Sequence, residues 1–484
     1  AATSLGRKTL IKISSKFLIN LFGFITLVFF QRYLGFEMLG ILTFSMSFVA
    51  LFSIFGDLGV GNAHVKKYNE NLSASECNGA LVLLKICLSI FMAIAFFVCL
   101  FILKTFFSFK FESELSETVI YMALLLAILN NLIQIFSNAT TATTEVSKNI
   151  IPLIVSRFFQ MIIKVSLLIS GFGLIYVIAA EIIILVLLII ALSFIINYPV
   201  KYPSRELIKS YVFFALPTLF AGLIVVYNLH IDKVLLQAFT TSEGVGQYAL
   251  SQKLVEVILV IPISVATLMA PRFSKYYTNN KLDKISDLSN KAAKYLSLFF
   301  LPGLLFLYFI SDDFMKILFG PEAQASAPVL RILLALVYIH TVRHLYSIQL
   351  ISTGHLKWAF FANIFSLITN VILNIIFIPQ KFLNYPMLGL GIEGAAYATT
   401  ISALITLVII SFIVKKITNT MIYTGLLKHL VCVMVTFSVC NYFLNSIELH
   451  NFDSFLSIFV ILPLFFIILR FLGEFTNNEY NFIK

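Results

Sequence analysis

The sequence predicts an all-α integral membrane protein of about fourteen transmembrane helices, and three observations carry that prediction. Apolar residues make up 60% of the 484 positions and charged residues only 12%, about half the charge of an ordinary soluble domain. Apolar stretches of roughly 20 residues, the length that crosses a bilayer as a helix, follow one another along the chain. The lysines and arginines between them crowd into alternate loops, as the positive-inside rule demands.

The spans fall near 14–34, 38–56, 78–103, 118–138, 149–170, 173–197, 208–229, 245–270, 290–311, 325–351, 357–378, 391–414, 424–445 and 453–472. Arg7, Lys8, Lys12 and Lys16 precede or enter the first, which ends at Gln31-Arg32 with no small-residue cleavage pattern, so it is read as a retained span. Glycines at 56–61 permit a sharp exit from the second. Pro217, Pro262 and Pro302 fall inside later spans and are expected to kink them. With the chain starting in the cytoplasm, the opposite side holds only Arg32, Lys104, Lys110, Lys233, Lys316 and Lys381. Cytoplasmic segments hold basic residues from Lys66 and Lys67 through Arg272–Lys294 to Lys484. Both termini are therefore expected in the cytoplasm.

The net charge of +11 follows from these loops, which meet anionic headgroups, and is not read as a nucleic-acid footprint. Cys77, Cys87, Cys99, Cys432 and Cys440 show no ligand or redox spacing and are read as packing residues.

An internal echo suggests two parallel lobes. Tyr33-x-x-x-Glu37-x-Leu39-Gly40 recurs as Phe239-x-x-x-Glu243-x-Val245-Gly246, and at the same offset Lys66 falls on Arg272. The expected organisation is an N-lobe over 1–200 (spans 1–6), a C-lobe over 201–418 (spans 7–12) and an appended helix pair over 419–484, with residues 198–205 as the hinge between lobes.

Charge inside the spans is the strongest functional signal. Lys85, Arg157, Lys164, Lys253, Arg331 and Arg343 lie in apolar stretches, against Glu181 and Glu256. A cation in lipid costs several kcal/mol, so such residues face water or a partner. On this count about four cations lack a carboxylate, and a cavity of that sign suits a lipid phosphate. Lys253 and Glu256, three apart, read either as a structural pair or as a gated cation that exchanges Glu256 for phosphate. Arg157 reads as cavity lining. Lys164 either pairs with Glu181 or serves the cavity, and Lys85 and Arg331 read as snorkelling to the membrane surface. Arg343 is divided between lumen and packing. His340 and His344 have i, i+4 spacing without a third ligand motif, so no metal or other cofactor is assigned.

Two amide stripes, Asn130, Gln134 and Asn138 on the fourth span and Asn363, Ser366, Asn370 and Asn374 on the eleventh, either bond between helices or line water. In the second case the asparagines and Gln134 are candidate glycan contacts.

Several ordered segments carry a family resemblance: Gln31-Arg32-Tyr33-Leu34-Gly35, then Phe55-Gly56-Asp57-Leu58-Gly59-Val60-Gly61-Asn62-Ala63; Ala215-Leu216-Pro217; Ile231-Asp232-Lys233; Gly246-Gln247-Tyr248-Ala249; Pro271-Arg272-Phe273-Ser274; Leu373-Asn374-Ile375-Ile376-Phe377-Ile378-Pro379; and Gly391-Ile392-Glu393-Gly394-Ala395-Ala396. Over most of residues 10–415 the chain resembles the multidrug/oligosaccharidyl-lipid/polysaccharide flippase superfamily, in its O-antigen flippase (Wzx-like) branch. The resemblance implies two six-helix bundles in a V around a central cavity, plus two C-terminal helices. It implies a non-enzymatic transporter that flips an undecaprenyl-pyrophosphate-linked oligosaccharide across the bacterial inner membrane. The implied partners are that lipid-linked substrate, the phospholipid bilayer and polysaccharide polymerase or chain-length machinery, with no nucleic acid. In related lipid II flippases a basic residue opens an Arg-Leu-x-Glu run and contacts pyrophosphate; Lys253-Leu254-Val255-Glu256 is similar, with Lys for Arg. Ser15-Lys16 resembles a Ser-Arg pair in the first span of the same relatives. The appended helix pair resembles one that forms a groove for the lipid tail.

Two rival classes remain. A drug or cation antiporter of the same fold would want unpaired intramembrane carboxylates. A polysaccharide polymerase or ligase would want a large outer loop with clustered Arg, His or acids.

Overall fold

The structure, a computed structural model, describes residues 2–70, 73–106, 110–446 and 458–474, with side chains from 15 onward except 216–218, 220, 221, 443–446 and 458. The side chains of Arg7, Lys8, Lys12 and Pro217, and all of Lys484, therefore lie outside the described residues. The helices are α1 (Ala2–Ser53), α2 (Val60–Tyr68), α3 (Ala74–Phe106), α4 (Glu114–Ala142), α5 (Ser147–Ile169), α6 (Leu174–Ile195), α7 (Arg205–Phe239), α8 (Ser242–Thr278), α9 (Leu282–Phe309), α10 (Ser311–Phe319), α11 (Ala327–Ser352), α12 (Leu356–Phe377), α13 (Gly391–Thr418), α14 (Gly425–Ser446) and α15 (Ile458–Phe471). A two-strand hairpin, β1 (Lys381–Phe382) and β2 (Tyr385–Pro386), joins α12 to α13.

Among the described residues twelve helices are long and apolar enough to cross a membrane, and the protein is a multi-pass membrane protein. The first of the twelve, Ser15–Tyr68, holds two spans, because α1 breaks at Gly35. There φ is 75° and ψ is −176°, a conformation open almost only to glycine. The shorter apolar helix Phe459–Phe471 lies where the fourteenth span is expected.

The chain forms two compact units, residues 1–246 and 247–484. Compactness thus divides the chain one span later than the 200/201 lobe boundary, because α7 packs along α1 and α2. Within unit 1, Val60, Ala63, Cys77, Ala80, Leu81, Tyr211 and Ala215 join α2, α3 and α7 in one core. The 198–205 stretch is bonded into this unit: Lys201 N–H donates to the Ser75 carbonyl at 2.9 Å, and Asn78 donates to the Pro199 carbonyl at 3.0 Å. Ser204 then caps α7, accepting from Leu207 N–H at 3.2 Å.

The two echo glycines meet. A Cβ on Gly40 would overlap the Ser242 carbonyl, and one on Gly246 would overlap the Phe36 carbonyl. Each would also lie about 3 Å from the other glycine's nitrogen, so α1 and the first turn of α8 touch backbone to backbone.

In unit 2, Val342, Tyr346, Ala359, Ala362, Ile410 and Val414 lock α11, α12 and α13 together. A second core of Met269, Phe273, Ile285, Ala293 and Leu345 ties α8 and α9 to α11. Small residues at 359, 362, 395 and 396 are buried and let these helices approach closely. The appended α14 and α15 pack on α9 through Leu298, Leu301, Cys432, Phe465 and Leu469.

Candidate functional site

Unit 1 holds a cationic cluster on α5 and α6. Arg157, Gln160 and Lys164 recur at i, i+3 and i+7, one stripe of α5. Glu181 of α6 lies 3.4 Å from Arg157 and accepts from Lys164 in a very short contact. One carboxylate thus serves two cations, leaving the cluster one positive charge in excess. Arg157 also donates to Gln160 Oε1 at 2.7 Å. The Gln160 Nε2 is buried without a hydrogen-bond partner among the described residues. A guanidinium beside an unspent amide donor suits an oxyanion.

A second polar node sits where span 2 ends. Lys85 is fully buried, with its Nζ 2.5 Å from Asp57 and donating to Asn131 Oδ1 at 2.7 Å and Gln134 Oε1 at 2.8 Å. The expectation that Lys85 snorkels is overturned: it is an interior ammonium neutralised by Asp57, and a fully buried charge requires such a partner. The cation ledger changes with it. Asp57 serves Lys85 and Asp312 of α10 serves Arg331, so intramembrane cations without a carboxylate are fewer than the sequence count of about four. The sequence reading missed both acids because they fall at span ends, where an acid is unremarkable.

In unit 2, Lys253 and Glu256 pair at 2.8 Å on α8, with side chains 45% and 42% exposed. A half-exposed ion pair inside a span does not belong against acyl chains. Among the described residues Arg343 is the cation of the set with no carboxylate partner; its guanidinium donates to His340 Nδ1 at 3.2 Å. Since a guanidinium only donates, His340 is neutral at that nitrogen. The His340 and His344 rings lie 5.5 Å apart. Lys16 is exposed on the first span.

The amide stripes behave differently. On α4, Gln134 is exposed while bonded to Lys85, Asn130 donates to its own helix at Leu126, and Asn138 lies against Gly61. On α12, Asn363 donates to the Ala359 carbonyl. Asn370 and Asn374 are buried; Asn374 donates to Asn370, and Asn370 to Thr399 of α13 at 3.3 Å. That half of the stripe bonds helix to helix.

Unit 2 also contains an apolar cavity of about 850 Å³ between α9, α11, α13 and α14, walled by residues such as Leu301, Leu305, Leu334, Leu407 and Leu430. Arg331 is the one charged residue in its wall.

Comparison with known proteins agrees with this architecture. The family model described as polysaccharide biosynthesis protein matches residues 5–277, and the MatE model matches 217–376. A probable low-salt glycan biosynthesis flippase of Haloferax volcanii is 23% identical over 398 residues, covering 80% of this chain and 79% of that protein. A probable flippase of the same organism is 22% identical over 175 residues, 36% of this chain and 35% of its own length. Among solved structures, the lipid II flippase MurJ in an inward closed conformation superposes with a TM-score of 0.73 at 17% identity, over 96% of this chain and 99% of that one. An inward-facing multidrug resistance MATE transporter of the MOP superfamily gives 0.68 at 14% identity, over 83% and 96%. The fold is thus the one MurJ and the MATE transporters share.

Proposed function

We propose a function from one premise: the chain belongs to the polysaccharide biosynthesis protein family. It flips an undecaprenyl-pyrophosphate-linked oligosaccharide, an O-antigen or similar surface-polysaccharide repeat unit, across the bacterial inner membrane by alternating access. The observation that carries the reading is the surplus of positive charge within the spans. Arg157 and Lys164 share one carboxylate, and Arg343 has none among the described residues. Such a surplus lowers the cost of drawing a pyrophosphate into a low-dielectric layer.

Roles follow from placement. Arg157, with Gln160 beside it, and Arg343 bind phosphate oxygens. Lys164 neutralises Glu181 and releases Arg157 for substrate. Lys253 exchanges Glu256 for phosphate, and Lys16 adds charge on the first span. Gln134, Asn130, Asn138 and Asn363 offer amides to sugar hydroxyls, while Asn370 and Asn374 hold α12 to α13. The apolar cavity of unit 2 takes part of the polyprenyl tail, being lined almost wholly by aliphatic and aromatic side chains. No covalent step is needed, so the chain acts as a transporter rather than an enzyme.

Complementation of a flippase-null strain tests this. Arg157→Ala and Arg343→Ala, at normal membrane levels, should accumulate unflipped lipid-linked glycan and lose surface polysaccharide. Lys253→Arg should retain function, since it keeps the charge. Full surface glycan from both alanine variants would remove the phosphate-binding role.

A further inference from the structure

The Lys85 node has the form of an ion site. An ammonium has three N–H donors, and Lys85 Nζ meets three side-chain oxygens: Asp57 Oδ1 at 2.5 Å, Asn131 Oδ1 at 2.7 Å and Gln134 Oε1 at 2.8 Å. One carboxylate and two amide carbonyls form a hard oxygen set with a single negative charge, the donor type that alkali cations take. Two of the three oxygens are held in place independently of the lysine. Asn131 Nδ2 donates to the Gly56 carbonyl at 2.8 Å and to Ser89 Oγ at 2.6 Å, which turns its oxygen toward Nζ. Asp57 is anchored by the Gly59 and Gly61 amides at 3.3 and 3.4 Å. Lys85 enters from α3, its side chain wholly buried, while Asp57 is 33% exposed and Gln134 is exposed.

We propose that this is a monovalent-cation cage whose resident cation is the chain's own ammonium. Asp57 is the one charged group paired with Lys85 among the described residues; Asn131, Gln134 and Ser89 are neutral. The tethered cation ties the end of span 2 to α3 and α4 at every sodium concentration. That end is a difficult corner, with φ of 45° at Leu58 and 83° at Gly59. Unit 1 therefore needs no soluble cation to close it.

Vacating the cage tests the assignment, and the readout is stability alone, so it stands or falls apart from the flippase reading. Purified Lys85→Ala should melt several degrees below the parent. Sodium or ethylammonium at tens of millimolar should restore at least half of the loss, rising with the logarithm of concentration as site binding does. Choline, too large for the cage, should not. The parent should show no such response. The double variant Asp57→Asn/Lys85→Ala should lose the response. A folded Lys85→Ala indifferent to every small cation overturns the proposal, as does a double variant that responds equally. Should Lys85→Ala fail to accumulate, recovery of its membrane level by ethylammonium in the growth medium supports the cage, and no recovery overturns it.

Discussion

At the scale of single residues, buried charge decides what a substitution costs. Asp57→Asn removes the one charge that neutralises Lys85 and leaves an ammonium stranded in the interior. Breaking a buried pair this way costs about 3–5 kcal/mol, so thermal melting of the detergent-purified variant should fall sharply. Asp57→Leu combined with Lys85→Met should melt closer to the parent than either single change, because no charge then remains. Equal damage from the double variant would mean packing, not charge, sets the cost. The contrast with Lys253 is informative. Its pair with Glu256 is about half exposed, and such i, i+3 pairs contribute only about 0.3–0.5 kcal/mol, so Glu256→Gln should leave melting unchanged. Sequence spacing allowed the Lys253–Glu256 contact, since residues three apart share a helix face, and the shared depth of Lys164 and Glu181 made theirs one of two readings. It did not reveal Asp57–Lys85, which joins residues 28 positions apart across a corner, nor the buried Gln160 amide, whose nitrogen has no hydrogen-bond partner among the described residues.

At the scale of elements, the sequence was more legible, because each span is set by its own apolar length. All expected spans that fall on described residues have a helix. What periodicity could not supply was the contacts between helices. Gly35 and the Gly40–Gly246 contact are examples: each glycine stood in a motif, but the need for it is steric and appears only in three dimensions. At Gly35 any side chain would meet a backbone region open almost only to glycine. Gly35→Ala should therefore cost about 1–3 kcal/mol without removing a single contact, read as a lower melting temperature. Gly246→Val should do more. Its side chain would displace the Phe36 carbonyl and push α1 from α8, and surface glycan should fall even where the protein accumulates. Unaltered glycan output from Gly246→Val would show that this close contact has no part in transport. The 198–205 stretch teaches the reverse lesson. Proline and charge marked it as a linker, whereas hydrogen bonds to Ser75 and Asn78 fasten it to α3.

At the scale of the whole molecule, the segregation of basic residues makes an orientation testable residue by residue. Arg272 and Lys275 at the end of α8, Lys281 in the turn after it, and Lys284 and Lys291 in the first part of α9 crowd one end of this helix pair, whereas the α12–α13 turn carries Lys381 as its one basic residue. A lysine-rich turn is retained in the cytoplasm because translocating its charge against the membrane potential is unfavourable by about 2.3 kcal/mol per charge per 100 mV. The same field favours outward movement of any negative charge, toward the positive side, whichever way the protein is inserted. In a cysteine-free background, Leu383→Cys at the hairpin tip, where the native side chain is 77% exposed, should react with a membrane-impermeant maleimide added outside intact spheroplasts. Asn280→Cys, in the basic turn, should react only after permeabilisation. The opposite pattern would invert the molecule. Segregation of Lys and Arg would then not set this chain's orientation, although the field would still favour outward movement of negative charge.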